Sequence, residues 1–234
     1  MTDQLTTLAA TIATTAEEPA AGVDVKLSGD VFGALINLSG RRRFASQRVV
    51  LYAVLASMGH EGAIAIARDT LALLTSAHTT LIEGRGALPG VFCSALRDAY
   101  FGSLQGDRAI RDFIALAEST LDGIAANRAG TPLLLDELVR NATPLLSVLN
   151  GLTLVYEEQS KRHAQLQERQ LRSMMTDIET IARRARLVAF DAQLVAARAG
   201  QAGAEFAAVA RTMMAVTTEI DDLVRAALSG ALGH

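Results

Sequence analysis

Apolar residues recur every three or four positions along almost the whole chain, and no stretch shows the alternation that a half-buried strand requires. The spacing predicts an all-α protein. A short helix is expected over about residues 3 to 16, followed by a polar linker from Glu17 to Gly22 that contains Pro19. A long helix is expected from about 28 to 58, broken at Gly59-His60-Glu61-Gly62, and the next from about 62 to 83. The glycines and proline of EGRGALPG, residues 83 to 90, mark a loop. Helical stretches over about 91 to 103 and 107 to 127 flank a break at Gly102 to Gly106. Thr131-Pro132 and Thr143-Pro144 each have the form of a helix cap followed by proline in the first turn. One of them must lie inside a helix if that helix runs on.

The C-terminal third is more regular. Leu171, Met174, Ile178, Ile181, Ala185, Val188, Ala192 and Val195 step by three and four. After Gly200-Gln201-Ala202-Gly203 the rhythm resumes at Phe206, Val209, Met213, Val216, Ile220 and Leu223. A 3.5-residue repeat on both sides of a glycine-flanked turn predicts an antiparallel coiled-coil hairpin with these residues in its seam. Two helices leave much apolar surface uncovered, so a homodimer that completes a four-helix bundle is expected. The expected organisation is an N-terminal helix and linker over 1–27, a helical domain over 28–165 and the hairpin over 166–234.

Composition narrows the function classes. Half of the residues are hydrophobic, only 4% are aromatic, Trp is absent and there are four Pro, which suits helices. A formal net charge of −3 argues against a nucleic-acid partner, because phosphate neutralisation needs a basic surface. Only Lys26 and Lys161 among the 22 basic residues are lysines, so arginine is abundant throughout. The single Cys93 excludes an intrachain disulfide and a thiolate metal cage, and is compatible with a reducing compartment. No basic residue precedes Lys26 and no continuous apolar segment follows the N-terminus, so a secretory signal is not expected. The longest apolar run, Val49 to Met58, falls short of the roughly 20 residues of a membrane span. A soluble, cytoplasmic protein is the expectation.

Familiar catalytic motifs fail. GRGALPG imitates a phosphate loop, but no strand precedes it. HEGAI lacks the second histidine of a zinc-protease helix. His60, His78, His163 and His234 are far apart, with no Asp or Glu at ligand spacing. No enzyme activity, metal or cofactor is expected.

The segment NLSGRRRFASQR, residues 37 to 48, is the feature that remains. Ile36, Ser39, Gly40, Arg43, Ser46 and Val50 share one stripe of the helix. Gly40 costs roughly 1 kcal/mol relative to alanine inside a helix, which calls for a reason. Small residues one turn either side of Arg43 would let a neighbouring backbone approach closely. If that neighbour is the same helix of a second subunit, two Arg43 guanidinium groups meet near the two-fold axis and repel unless an anion lies between them. The alternative is that these arginines pair with acids or face water.

The same segment resembles the signature of the nitrate/nitrite-sensing and type IV pilus chemotaxis-transducer N-terminal domains: Asn, two residues of which the second is small, Gly, two variable positions, Arg, an apolar residue, any residue, Ser, any residue, Arg. PLLSVLNGLTLVYE, from Pro144 to Glu157, is similar to the last helix of the pilus-transducer type. The resemblance implies a four-helix antiparallel sensor bundle over about 28 to 165. It also implies an anion, nitrate or nitrite, held between two subunits by Arg43 and Gly40, with Ser39 and Ser46 beside them and Arg48 in support. Arg41 and Arg42 fall at variable positions and are expected to face solvent.

IARRARLVAFDAQLVAARAGQAGAEFAAVA, from Ile181 to Ala210, resembles the signalling tip of methyl-accepting chemotaxis proteins, whose AARAG, turn and FAxVA features it keeps. It departs from that family at Arg183, Arg184, Ala185 and Arg186, where the family carries an aromatic and a run of uncharged polar residues, and at Asp191, Val195 and Gln201, while Arg198 is retained. The resemblance implies contacts from Asp191, Arg198 and Gln201 to a signalling protein: a histidine kinase, a coupling protein or a regulator. Together the resemblances imply a homodimeric sensor that relays anion binding through a continuous helix, from about 144 to 199, into the hairpin. A ligand-free adaptor that docks into or blocks a chemotaxis-type complex is the alternative.

Overall fold

The computed structural model describes residues 27–231, and the expected helix over 3 to 16 lies outside them. Among the described residues the protein is all-α apart from one two-residue hairpin. Helix α1 spans Gly29–Ser57 and starts where the Ser28 hydroxyl accepts the Val31 amide at 3.3 Å. It stops at Gly59, whose φ of 83° continues no helix, and Gly62 at φ 74° precedes α2, Ala63–Glu83. The expected loop over 83 to 90 contains strands β1, Gly84–Arg85, and β2, Leu88–Pro89, paired antiparallel. This pairing is too short to carry a period-two pattern, so periodicity could not show it. Helices α3, Ser94–Phe101, and α4, Gly106–Ala125, follow.

Helix α5 runs from Thr131 to Arg198. Thr131-Pro132 opens it, so Pro144 is the internal proline. A 3-10 turn, Gly200–Gly203, leads to α6, Ala204–Ala231. The chain divides into two units at Tyr156/Glu157, whereas the sequence pattern placed the division near residue 165. The reason is visible in burial: Tyr156 is the last residue of α5 inside the first core, and from 157 to 181 the helix has no buried residue.

In the first unit, one core joins Leu35 and Val49 of α1, Leu74 and Leu81 of α2, Leu96 of α3, Ile110 and Leu121 of α4, and Leu149 and Leu152 of α5. Each of these is close to fully buried, and each contributes about 2 kcal/mol of apolar transfer.

The second unit differs from expectation in its seam. Ala182, Ala189 and Ala196 on the first arm are buried, as are Gly203, Ala210, Thr217 and Val224 on the return. These positions repeat every seven residues, one place along from the larger residues that the pattern assigned to the seam. Ile181, Val188 and Val195 are exposed, as are Phe206, Val209, Val216 and Leu223. Close approach is the cause. A Cβ on Gly203 would collide with the Ala196 carbonyl, so the arms meet at a separation that only small side chains fit.

Candidate functional site

The motif arginines take four different environments on α1. Arg41 is exposed. Arg42, expected to face solvent, is fully buried, because it lies in phase with Leu35, Ser39, Ser46 and Val49 on the core stripe. Arg43 lies at the edge of that stripe and donates through Nη1 to Oδ1 of Asn150 on α5 at 3.1 Å. Its Nη2 lies against Gly40, where an added Cβ would stand 3.4 Å away. The guanidinium thus rests against Gly40 of its own chain, at a distance where an alanine methyl would make an ordinary contact. Arg48 stands over two rings, 5.7 Å from the centroid of Phe44 and 5.2 Å from that of Tyr52.

Among the described residues no carboxylate comes within ion-pairing distance of any of these four groups, nor of Arg85, Arg97, Arg128, Arg169, Arg184, Arg198, Arg211 and Arg225, whereas Arg68, Arg108, Arg111, Arg140, Arg162, Arg172, Arg183 and Arg186 all have one. For the four motif arginines α1 itself offers no partner, since nothing acidic stands between Asp30 and Glu61.

Ser39 and Ser46 leave the predicted ligand set. Both are fully buried inside the chain, with Ser46 donating to the Arg43 carbonyl at 2.9 Å and Ser39 bonded to Arg42 and Thr153. The stripe that groups them with Arg43 is wide enough to straddle the boundary between core and surface, and the serines fall on its inner side.

Arg42 anchors a polar network that links four helices. Its Nη2 donates to Ser39 Oγ at 3.0 Å, and its Nη1 lies 3.3 Å from His78 Nδ1 on α2. The guanidinium also stands 5.7 Å from the centroid of the Tyr100 ring, and its Nε is buried without a partner. Because a guanidinium only donates, His78 Nδ1 must accept, and the Nε2–H then donates to Asp107 Oδ1 on α4 at 2.9 Å. Asp107 in turn receives Arg111 Nε at 2.9 Å. On the other side, Thr153 donates to the Leu149 carbonyl at 2.8 Å, so Ser39 must donate to Thr153 at 2.9 Å. Both chains therefore present acceptors toward Arg42 and end on an anionic or carbonyl oxygen.

Burial lowers the pKa of His78 to about 4, and the Arg42 charge adds to the effect, against the opposing pull of Asp107. His78 is thus a neutral relay at ordinary pH. Beside it, Tyr100 and Tyr156 share a buried hydroxyl contact of 3.2 Å, and burial raises the Tyr156 phenol well above its ordinary range. Spacing could not reveal this network, because its members come from four helices, with Tyr100 of α3 packed beside them.

At the hairpin, Asp191, Arg198 and Gln201 are exposed, near or in the turn. Among the described residues no group of His, Cys, Asp and Glu could hold a metal ion, and no helix is long and apolar enough to cross a membrane. Comparison with known proteins finds no matching family model, no matching curated sequence and no matching solved structure.

Proposed function

We propose that this chain is a cytoplasmic signal-transduction sensor. Two copies hold a small oxyanion, nitrate or nitrite first, between their Arg43 side chains and pass the bound state to a protein partner of the hairpin. The observation that carries this proposal is the lack of any described carboxylate partner for Arg43: a half-exposed guanidinium is held by one neutral amide and packed over Gly40. Such a group keeps donors free for a planar anion, and charge-assisted pairs of this kind are the strong ones. Arg48, stacked between Phe44 and Tyr52, adds positive potential from the same helix.

The uncovered apolar face of the hairpin supports the dimer. One row of large exposed residues on each arm sits on the same flank of the small-residue seam, Ile181, Val188 and Val195 on α5 and Val209, Val216 and Leu223 on α6, while Leu187, Phe190 and Leu194 are exposed outside that row. Arg186 and Asp221 occupy the opposite flank, joined at 2.6 Å. A second hairpin laid on the apolar flank would bury both rows at once, completing a four-helix arrangement. Asp191, Arg198 and Gln201 then stay open to a histidine kinase, coupling protein or regulator.

Calorimetric titration with nitrate and nitrite tests the sensor. Saturable heat is expected from the wild type and none from Arg43→Ala. Absence of heat from both would favour a ligand-free adaptor, for which the same exposed hairpin face is the supporting observation.

A further inference from the structure

A groove on the first unit, separate from the arginines of α1, has the chemistry of a binding site. It runs between α4 and α5 and encloses roughly 370 Å³, within the range of small-molecule pockets. Phe113, Leu116, Leu145 and Val148 supply an apolar floor and walls, with the Phe113 ring and Leu145 themselves part of the core. Every charged side chain that lines it is a carboxylate, Asp112 on α4 and Glu137 on α5.

One further acceptor comes from α5. Asn141 donates its amide nitrogen to the Glu137 carbonyl at 2.9 Å, which leaves its side-chain oxygen free to accept. Pro144 lies in the groove wall and, having no N–H, leaves the Arg140 carbonyl one turn earlier without its helical donor, although Arg140 does not itself line the groove. That interior proline costs roughly 3 kcal/mol in a helix. The groove thus combines an aromatic and aliphatic floor with two carboxylates, an amide oxygen and no lining cation; Arg108, three-quarters exposed, pairs with Asp112 at 3.7 Å, so Glu137 is the lining carboxylate without an ion pair.

We infer that the α4/α5 groove binds a small organic cation, an ammonium group carried on an apolar body. The ammonium sits between Glu137, Asn141 and Asp112, and the apolar body lies on Phe113, Leu116 and Val148. This charge preference is the opposite of that proposed for Arg43, and the two sites succeed or fail separately.

Titration with phenethylammonium, followed through the methyl resonances of Leu116, Leu145 and Val148, tests the inference. Saturable shifts confined to these methyls are expected. Glu137→Gln should weaken binding about fivefold, and the uncharged analogue 2-phenylethanol about tenfold. Glu137 is exposed, and an unchanged circular dichroism spectrum of the variant verifies its fold. Equal binding of ammonium and alcohol, undiminished binding by the variant, shifts scattered over other methyls, or no saturable shift at ~10 mM probe would each overturn the assignment.

Discussion

Each unit of this protein ties an arginine into its packing, Arg42 fully buried and the Arg186 side chain 38% exposed, and the two are neutralised in opposite ways. In the hairpin, Arg186 meets Asp221 directly at 2.6 Å and also donates to the Thr217 carbonyl, tying one arm to the other. In the first unit, Arg42 meets no carboxylate; its charge reaches Asp107 only through the neutral imidazole of His78, and its other hydrogen bond runs through two hydroxyls to a carbonyl. The hairpin pair is local, linking two arms that a four-residue turn already joins. The Arg42 network is distributed and makes α1, α2, α4 and α5 mutually dependent. A direct ion pair fixes register; a relay through neutral groups makes a core sensitive to the state of every member.

The largest expected effect breaks the relay. Arg42→Ala removes a fully buried side chain and strands His78 Nδ1 and the Ser39 hydroxyl, for a loss of about 4 kcal/mol. Chemical denaturation monitored by circular dichroism measures it. A loss below 1 kcal/mol would show that the network contributes little.

Acid should do through His78 what that variant does through Arg42. The folded pKa of about 4 lies below the ordinary 6.5, so the unfolded chain binds the extra proton between these values. Stability from this group is complete above pH 6.5 and declines as pH falls toward 4, by on the order of 3 kcal/mol. Denaturation midpoints across that window should flatten in His78→Gln. A wild-type profile that is already flat contradicts the buried neutral imidazole.

Gly203→Ala sharpens the other half of the comparison. The added methyl meets the Ala196 carbonyl, so the arms must move apart, at a cost of about 2 kcal/mol. Hydrogen exchange should accelerate in α6 and in the 182–198 part of α5 while amides of α1 keep their protection. Uniform acceleration throughout the chain would show instead that the units do not respond separately.

The helices and their breaks were legible in the sequence because glycines and 3.6-residue periodicity act locally. Pro144 could not be assigned to a helix interior from its neighbours alone, since Thr143 caps as plausibly as Thr131 does. The hairpin turn was legible too, yet its seam was not: periodicity weighted by size selects Ile181, Val188 and Val195, while backbone approach at Gly203 selects Ala182, Ala189 and Ala196. For the candidate site, the motif singled out Arg43 and Gly40, which remain the proposal, while Ser39 and Ser46 lie on the buried side of the helix. Arg42 was missed although a signal existed. It falls in phase with Leu35 and Val49, and helical phase outweighs the usual exposure of arginine when hydroxyls and an imidazole wait on neighbouring helices. His78 and Asp107 carried no local mark at all.

The most direct test of the central proposal is the monomer–dimer equilibrium measured by sedimentation with and without nitrate. An anion shared by two Arg43 side chains must tighten the dimer through linkage. Nitrate should therefore lower the dimer dissociation constant of the wild type about tenfold or more and leave that of Arg43→Ala unchanged. A wild-type constant indifferent to nitrate and nitrite, or a chain that stays monomeric at every concentration, would contradict an anion held between two copies.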